Sequence, residues 1–224
     1  MSRRIIVLSA GLSQPSSTRL LADRIADAVK AQVTARGEAV EFEVVELKDI
    51  AIDLATAMSA GGLSTPRLAR IKEAVSRADG LIAVSPVFTA SYSGLFKMFF
   101  DALDPEALNS MPVIIAATAG TPRHSLVLEH ALRPLFAYLR AVVVPTGVFA
   151  ATEDFGDGAE GADLAGRIRR AASEFAALAV AEAVGVEGFA QAAPEARKRV
   201  SGVRIDQSVT PFLTMLKGLE GKRA

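Results

Sequence analysis

Leu81-Ile82-Ala83-Val84 runs directly into Ser85-Pro86-Val87-Phe88-Thr89-Ala90-Ser91-Tyr92-Ser93-Gly94-Leu95-Phe96-Lys97, and the reading of this stretch decides the fold. Four consecutive apolar residues between turn signals read as a buried strand, opened by Asp79-Gly80 and closed by Pro86. The residues after it are unlike an ordinary connector. Proline fixes φ and lacks an amide donor; Phe88 and Tyr92 bring ring faces, and Thr89, Ser91 and Ser93 bring hydroxyls, before Gly94 opens a densely apolar helix. Apolar faces interleaved with short polar groups suit a planar heteroaromatic ligand. The competing reading is a strand end whose aromatics tuck into the core.

Further apolar runs lie at Ile5 to Leu8, Phe42 to Leu47, Val113 to Ala117 and Val142 to Val144, separated by segments with helical spacing. Strands alternating with helices imply a parallel sheet covered on both faces. The spacing predicts helices from an N-cap at Ser17 or Thr18, over Pro66 to Arg77, Gly94 to Leu103, Leu126 to Tyr138 and Asp163 to Val184. The third is so apolar that it must be largely buried, within the chain or against another subunit. Five strands with right-handed crossovers give the α/β doubly wound class, a flavodoxin-like five-stranded parallel sheet of order 2-1-3-4-5. That domain is expected over residues 1–185, with a C-terminal extension over 186–224. The basic cluster Arg197-Lys198-Arg199 and the apolar group from Phe212 to Leu219 make the extension an arm for subunit or partner contact, or else a tail.

Composition narrows the function classes. Lysine plus arginine equals aspartate plus glutamate, 25 against 25, so no global field favours nucleic acid or an anionic membrane. With no cysteine there are no disulfides, no thiol catalysis and no cysteine-ligated metal clusters. Redox chemistry would need a bound cofactor. The start, Met1-Ser2-Arg3-Arg4-Ile5-Ile6-Val7-Leu8, is cut short by Gly11, Ser13 and Pro15, and is expected to be a first buried strand of a cytoplasmic protein, not a signal peptide. No apolar span approaches the roughly 18 residues of a transmembrane helix.

In doubly wound sheets ligands sit beyond the carboxyl ends of the strands, at the switch between strands one and three. That rule nominates three loops. The first, Ala10 to Arg19, concentrates Ser13, Ser16, Ser17 and Thr18 at a helix N-terminus, where free amides and the helix dipole favour an anion, with Arg19 as an added charge. It has neither the dinucleotide fingerprint nor the P-loop spacing, so a monophosphate is expected; the alternative is an N-cap in a polar turn. The second is Ser85 to Ser93, with Pro86, Val87, Phe88, Thr89, Ser91 and Tyr92 as candidate contacts. The third, Thr118-Ala119-Gly120-Thr121 and on to Ser125, offers backbone amides to the polar edge of a ring, and Gly120 permits close approach. His124, in that loop, and His130, in a helix, lack the spaced partners of a metal site or triad, and the acidic stretch from Glu153 to Asp163 lacks EF-hand spacing. No metal is expected.

The stretch from Ser85 to Lys97 resembles the TPVYxxxYSGxLK signature of the NADPH-dependent FMN reductases. The likeness continues through Thr118-Ala119-Gly120-Thr121 and His124, Ala131-Leu132-Arg133-Pro134, and Gly147-Val148-Phe149-Ala150, and covers about Arg4 to Phe155. It extends to the flavin reductases that supply reduced FMN to two-component monooxygenases, including the alkanesulfonate type. The resemblance implies FMN as cofactor, with NADPH or NADH as co-substrate. It implies that Ser13, Ser16, Ser17 and Thr18 hold the phosphate, that Pro86 to Tyr92 line the isoalloxazine and ribityl, and that Thr118 to Thr121 flank the ring. Gln14 departs from the family, standing where an arginine is often found; Arg19 would supply the missing charge.

The reaction implied is hydride transfer from reduced nicotinamide to flavin, in which the protein orients and the cofactors carry the chemistry. No catalytic side chain is demanded; Arg123 and His124 are candidate contacts to the nicotinamide nucleotide. A flavin-dependent monooxygenase is the implied partner, and a homodimer or homotetramer the implied assembly. Alternatives are a quinone or azo reductase that retains its FMN, a flavodoxin-type electron carrier, which would be acidic, and a flavin-free interaction module.

Overall fold

A computed structural model of the chain describes residues 2–156, 158–180 and 199. The central sheet contains β1 (Ser2–Ser9), β2 (Ala39–Glu46), β3 (Gly80–Phe88), β5 (Pro112–Ala119) and β6 (Val142–Val143) in the order β2-β1-β3-β5-β6, every neighbouring pair parallel. This is the expected flavodoxin-like order. Two short strands enlarge the count to seven: β4 (Ser91–Tyr92) turns back antiparallel on β3, and β7 (Val148–Ala151) pairs with the upper half of β5.

The pair β6 and β7 is in effect one fifth strand, broken by Pro145. The Val144 amide still reaches the Val113 carbonyl at 3.0 Å, but Pro145 has no donor to continue the ladder. Side chains from both flanks satisfy the break. Arg133 donates to the carbonyls of Val144 and Pro145, at 3.3 and 3.1 Å, and Glu174 accepts from the amide and hydroxyl of Thr146.

On one sheet face α1 (Ser17–Thr34) and α6 (Ala159–Ala179) cover Ile5, Val7, Ile82, Val84, Ile114 and Ala116. On the other, α2 (Ala51–Ser59), α3 (Pro66–Arg77), α4 (Gly94–Asp101) and α5 (Arg133–Tyr138) cover Ile6, Leu8, Leu81, Ala83 and Ile115. The α3 span is the predicted one, capped by Thr65, whose hydroxyl accepts the Leu68 amide. Helix α2 had no counterpart among the sequence expectations. The Leu126 to Tyr138 expectation resolves into a π-helical turn over Leu128–Leu132 followed by α5; Pro134 has no amide to return to the His130 carbonyl, and the coil widens there.

The apolar density of α4 is accounted for inside the chain. Phe96, Phe99 and Phe100 are buried, with Phe100 ring centroids 4.7 Å from Phe96 and 5.0 Å from Phe136. Each such ring contributes about 1.5–3 kcal/mol by leaving water.

Of the expected C-terminal arm only Arg199 lies within the described residues. Its guanidinium donates to the carbonyls of Asn109, at 3.0 Å, and Ala78, at the amino edge of the sheet, and burial lowers its pKa. The proposed boundary at 185 and the apolar group from Phe212 to Leu219 lie outside the described residues. Among the described residues no helix is long and apolar enough to cross a membrane, and no cluster of three or more metal-ligating side chains occurs.

Candidate functional site

At the carboxyl edge of the sheet the β1–α1 loop, the end of β3 and the end of β5 converge, as the switch-point rule predicts. They enclose a cleft of about 300 Å³, at the small end of the range for small-molecule sites. Ser13, Ser17 and Thr18 line it from the first loop, Pro86, Val87 and Phe88 from the second, and Thr118, Ala119 and Gly120 from the third. Leu12 and Thr152 also line it, and neither was expected. Thr152 follows β7, the half-strand that the break at Pro145 hides from a reading of apolar runs.

One end of the cleft is formed by the start of helix α1. Helix α1 is capped by Ser16, not by Ser17 or Thr18: the Ser16 hydroxyl accepts the Arg19 amide at 3.2 Å. Ser13 and Ser17 are exposed, and the first amides of the helix have no intrahelical acceptor. Gly11 precedes them in the same loop. A Cβ placed there would stand 2.1 Å from the Ser16 hydroxyl and 3.0 Å from the Thr18 Cβ, so a side chain at this position would displace the Ser16 cap. Ser9, 1% exposed at the end of β1, has a buried hydroxyl with no partner among the described residues.

Arg19 is engaged by two carboxylates and does not line the cleft. Its guanidinium bonds Asp23 at 2.8 Å and Glu46 at 2.6 Å, and its pKa is raised, first by the Asp23 bond. The sequence could not indicate that, because Glu46 is brought in by β2. Electropositive character here comes from amides and the helix dipole.

The other end carries the apolar side chains of Pro86, Val87, Phe88 and Ala119. β3 continues past Pro86 to Phe88, contrary to the expected stop: Val84 turns its carbonyl to Ala10, and Pro86, two residues on, directs its donorless nitrogen the same way, beyond the end of β1. A tight turn at Thr89 and Ala90, both at positive φ (49° and 67°), brings the chain back as β4. Buried Ser85 fixes the hairpin, donating to the Pro86 carbonyl at 2.9 Å and accepting the Ser93 amide at 3.0 Å. Ser93 in turn caps α4.

Within the hairpin, Phe88 stands at the cleft rim, 45% exposed. Tyr92 packs on Phe96 at 5.7 Å, and Thr89, Ser91 and Tyr92 do not line the cleft. Neither does Thr121, whose buried hydroxyl has no partner among the described residues. Arg123 and His124 are exposed in a short helical turn beyond it.

Residues 3–156 match the family described as NADPH-dependent FMN reductase. The chain belongs to that family. Relatives agree: it is 40% identical over 181 residues, 80% of this chain and 94% of the other, to an NADH-dependent FMN reductase, SfnF, of Pseudomonas fluorescens. It is 38% identical over 154 residues, 68% of this chain and 78% of the other, to an FMN reductase (NADPH) of Pseudomonas aeruginosa. A solved oxidoreductase from Corynebacterium diphtheriae is similar at 60% identity with a TM-score of 0.78, covering 80% of this chain and 97% of that one. An NADH:FMN oxidoreductase in apo form is similar at 29% identity and a TM-score of 0.66, covering 78% and 88%.

The residues of this reductase fit FMN. The start of α1, with amides free of intrahelical acceptors, suits one phosphate, and Gly11 leaves room for the Ser16 hydroxyl that caps it. Pro86, Val87 and Ala119 offer the apolar walls that a ring requires.

Proposed function

We propose that this NAD(P)H-dependent FMN reductase holds the phosphate of FMN with Ser13, Ser17, Thr18 and the first amides of α1, with Ser16 keeping that terminus formed. The ring then lies between the Pro86-Val87-Phe88 edge and the Ala119-Gly120 turn. When bound, FMN supplies the hydride-accepting centre and the reduced nicotinamide the hydride. The protein's part is orientation and exclusion of water from one face, and no side-chain acid or base is assigned. Thr89, Ser91 and Tyr92 shape the hairpin behind the site, and Thr121 the turn after it.

The observation that carries this reading is the cleft itself, with an amide-rich helix end and an apolar slot joined in one small volume. Its rim is open: Leu12 and Phe88 are each about half exposed, at 53% and 45%, which favours FMN as an exchangeable substrate delivered to a flavin-dependent monooxygenase. The same reading takes the fold up to residue 185 as the reductase unit and 186–224 as a separate arm. It also takes the enzyme as a cytoplasmic homodimer or homotetramer.

The test is steady-state oxidation of NADPH and NADH with and without added FMN, followed by gel filtration of the FMN-loaded protein. Turnover only with added flavin, and flavin lost on the column, are expected. No acceleration of flavin reduction by either nicotinamide sinks the proposed site. Flavin that stays bound through turnover transfers the protein to the retained-FMN quinone or azo reductases.

A further inference from the structure

Thr18, in the first turn of α1, and Thr118, near the carboxyl end of β5, meet across 100 residues of chain. Their hydroxyl oxygens are 2.8 Å apart, and the residues are only 2% and 3% exposed on the floor of the cleft. Thr118 shares the sheet face of Ala116 and Val84, the face that α1 covers, so its side chain is delivered to the helix end by strand alternation.

A threonine hydroxyl carries one hydrogen and two lone pairs. A bond between two of them consumes one hydrogen, so the pair keeps a single free one, and the direction of the bond decides which oxygen holds it. An occupant of the α1 terminus sets that direction. A phosphate accepts hydrogens there, so Thr18 gives its hydrogen to the phosphate, and Thr118 must then donate to Thr18.

We infer that Thr118 is a positioning residue for the flavin phosphate, acting through the Thr18 hydroxyl, and not a contact to the flavin ring beside which chain order places it. The inference rests on the cleft being the FMN site. Thr118 holds the Thr18 hydroxyl with its hydrogen directed out of the helix end, so that no alternative orientation has to be given up when the phosphate arrives. The phosphate end of the site is thereby built partly by β5, whose following turn builds the ring end, and the two ends are held at a fixed separation.

Riboflavin carries the same ring without the phosphate, and the ratio of the two affinities reads the proposal directly. Thr118→Val keeps the shape and removes the hydroxyl. It is expected to weaken FMN binding about three- to tenfold, the loss of one buried hydrogen bond, while leaving riboflavin binding within about twofold. Thr118→Ser is expected to restore the wild-type ratio. Thr18→Val should lower FMN affinity at least as much, and the double variant no further than Thr18→Val alone, because Thr118 acts through Thr18.

Equal losses of FMN and riboflavin in Thr118→Val, or additive losses in the double variant, overturn the proposal. Should Thr118→Val fail to fold by circular dichroism, Thr18→Val reads the same ratio, and equal losses there overturn it as well. Wild-type protein that binds FMN no better than riboflavin overturns the phosphate relay while leaving the flavin site standing. Wild-type protein that binds neither removes both.

Discussion

The first loop, Ser13 to Thr18, and the hairpin segment, Ser85 to Ser93, each carry four serines and threonines, and in sequence they look like equal candidates for binding a polar ligand. Their hydroxyls are spent differently. In the hairpin, Ser85 and Ser93 are buried, at 0% and 1% exposure, and bonded within the protein, so they hold the turn and the start of α4. In the first loop, Ser16 caps α1 and Thr18 bonds Thr118, which leaves Ser13 and Ser17 facing the cleft. Hydroxyl density marks a site, but only an account of donors and acceptors separates groups that bind a ligand from groups that shape the place where it binds.

Gly11→Ala tests the first loop most severely. The new Cβ would meet the Ser16 hydroxyl at 2.1 Å, so Ser16 must swing away and the cap is lost. A lost cap costs about 1 kcal/mol, and the displaced first turn withdraws amides from the anion end. FMN affinity is expected to fall more than about tenfold, with riboflavin affected far less, since tenfold is only about 1.4 kcal/mol. Fluorescence titration with both flavins checks it. Undiminished FMN affinity would mean that this loop does not form the phosphate end.

Ser85→Ala should show the opposite signature. It strands the Ser93 amide and removes a donor from the Pro86 carbonyl, both inside the protein. A buried group left unpaired costs about 1–3 kcal/mol, so the urea midpoint should drop clearly. FMN and riboflavin affinities should fall together by a few-fold at most. A selective loss of FMN would place Ser85 at the phosphate and dissolve the contrast between the loops.

The legibility of each feature in the sequence depends on how local its causes are. The central strands were legible because β1, β3 and β5 carry unbroken apolar runs, and the doubly wound class then ordered them and placed three loops at the cleft. The fifth strand's continuation was hidden by Pro145, whose neighbours are satisfied by Arg133 and Glu174 from elsewhere in the chain. Thr152, which follows β7, was lost with it. The turn at Thr89-Ala90 uses positive φ without glycine, a choice uncommon enough to leave no signature, so Tyr92 looked like a loop residue instead of one packed on Phe96. The Thr18–Thr118 bond depends on side chains from distant elements meeting, and no local pattern records that.

Arg19 offers the smallest and most discriminating effect. The family resemblance makes it the charge that Gln14 lacks, yet it is bound to Asp23 and Glu46. Arg19→Ala should therefore change FMN affinity by less than about twofold, under 0.5 kcal/mol, while disturbing a local ion pair that solvent screens. The pH dependence fixes the sign. The Glu46 carboxyl is held below its ordinary value, first by the hydrogen bond from Lys48 and further by Arg19, against a burial that pushes it up. Its contribution is then complete above the ordinary carboxylate pKa and disappears as pH falls through the lowered one. Melting curves of wild type and Glu46→Gln should differ slightly near neutrality and converge in acid. A tenfold loss of FMN affinity in Arg19→Ala, with the melting difference unchanged across pH, would instead show that the arginine leaves its carboxylates for the phosphate when flavin binds.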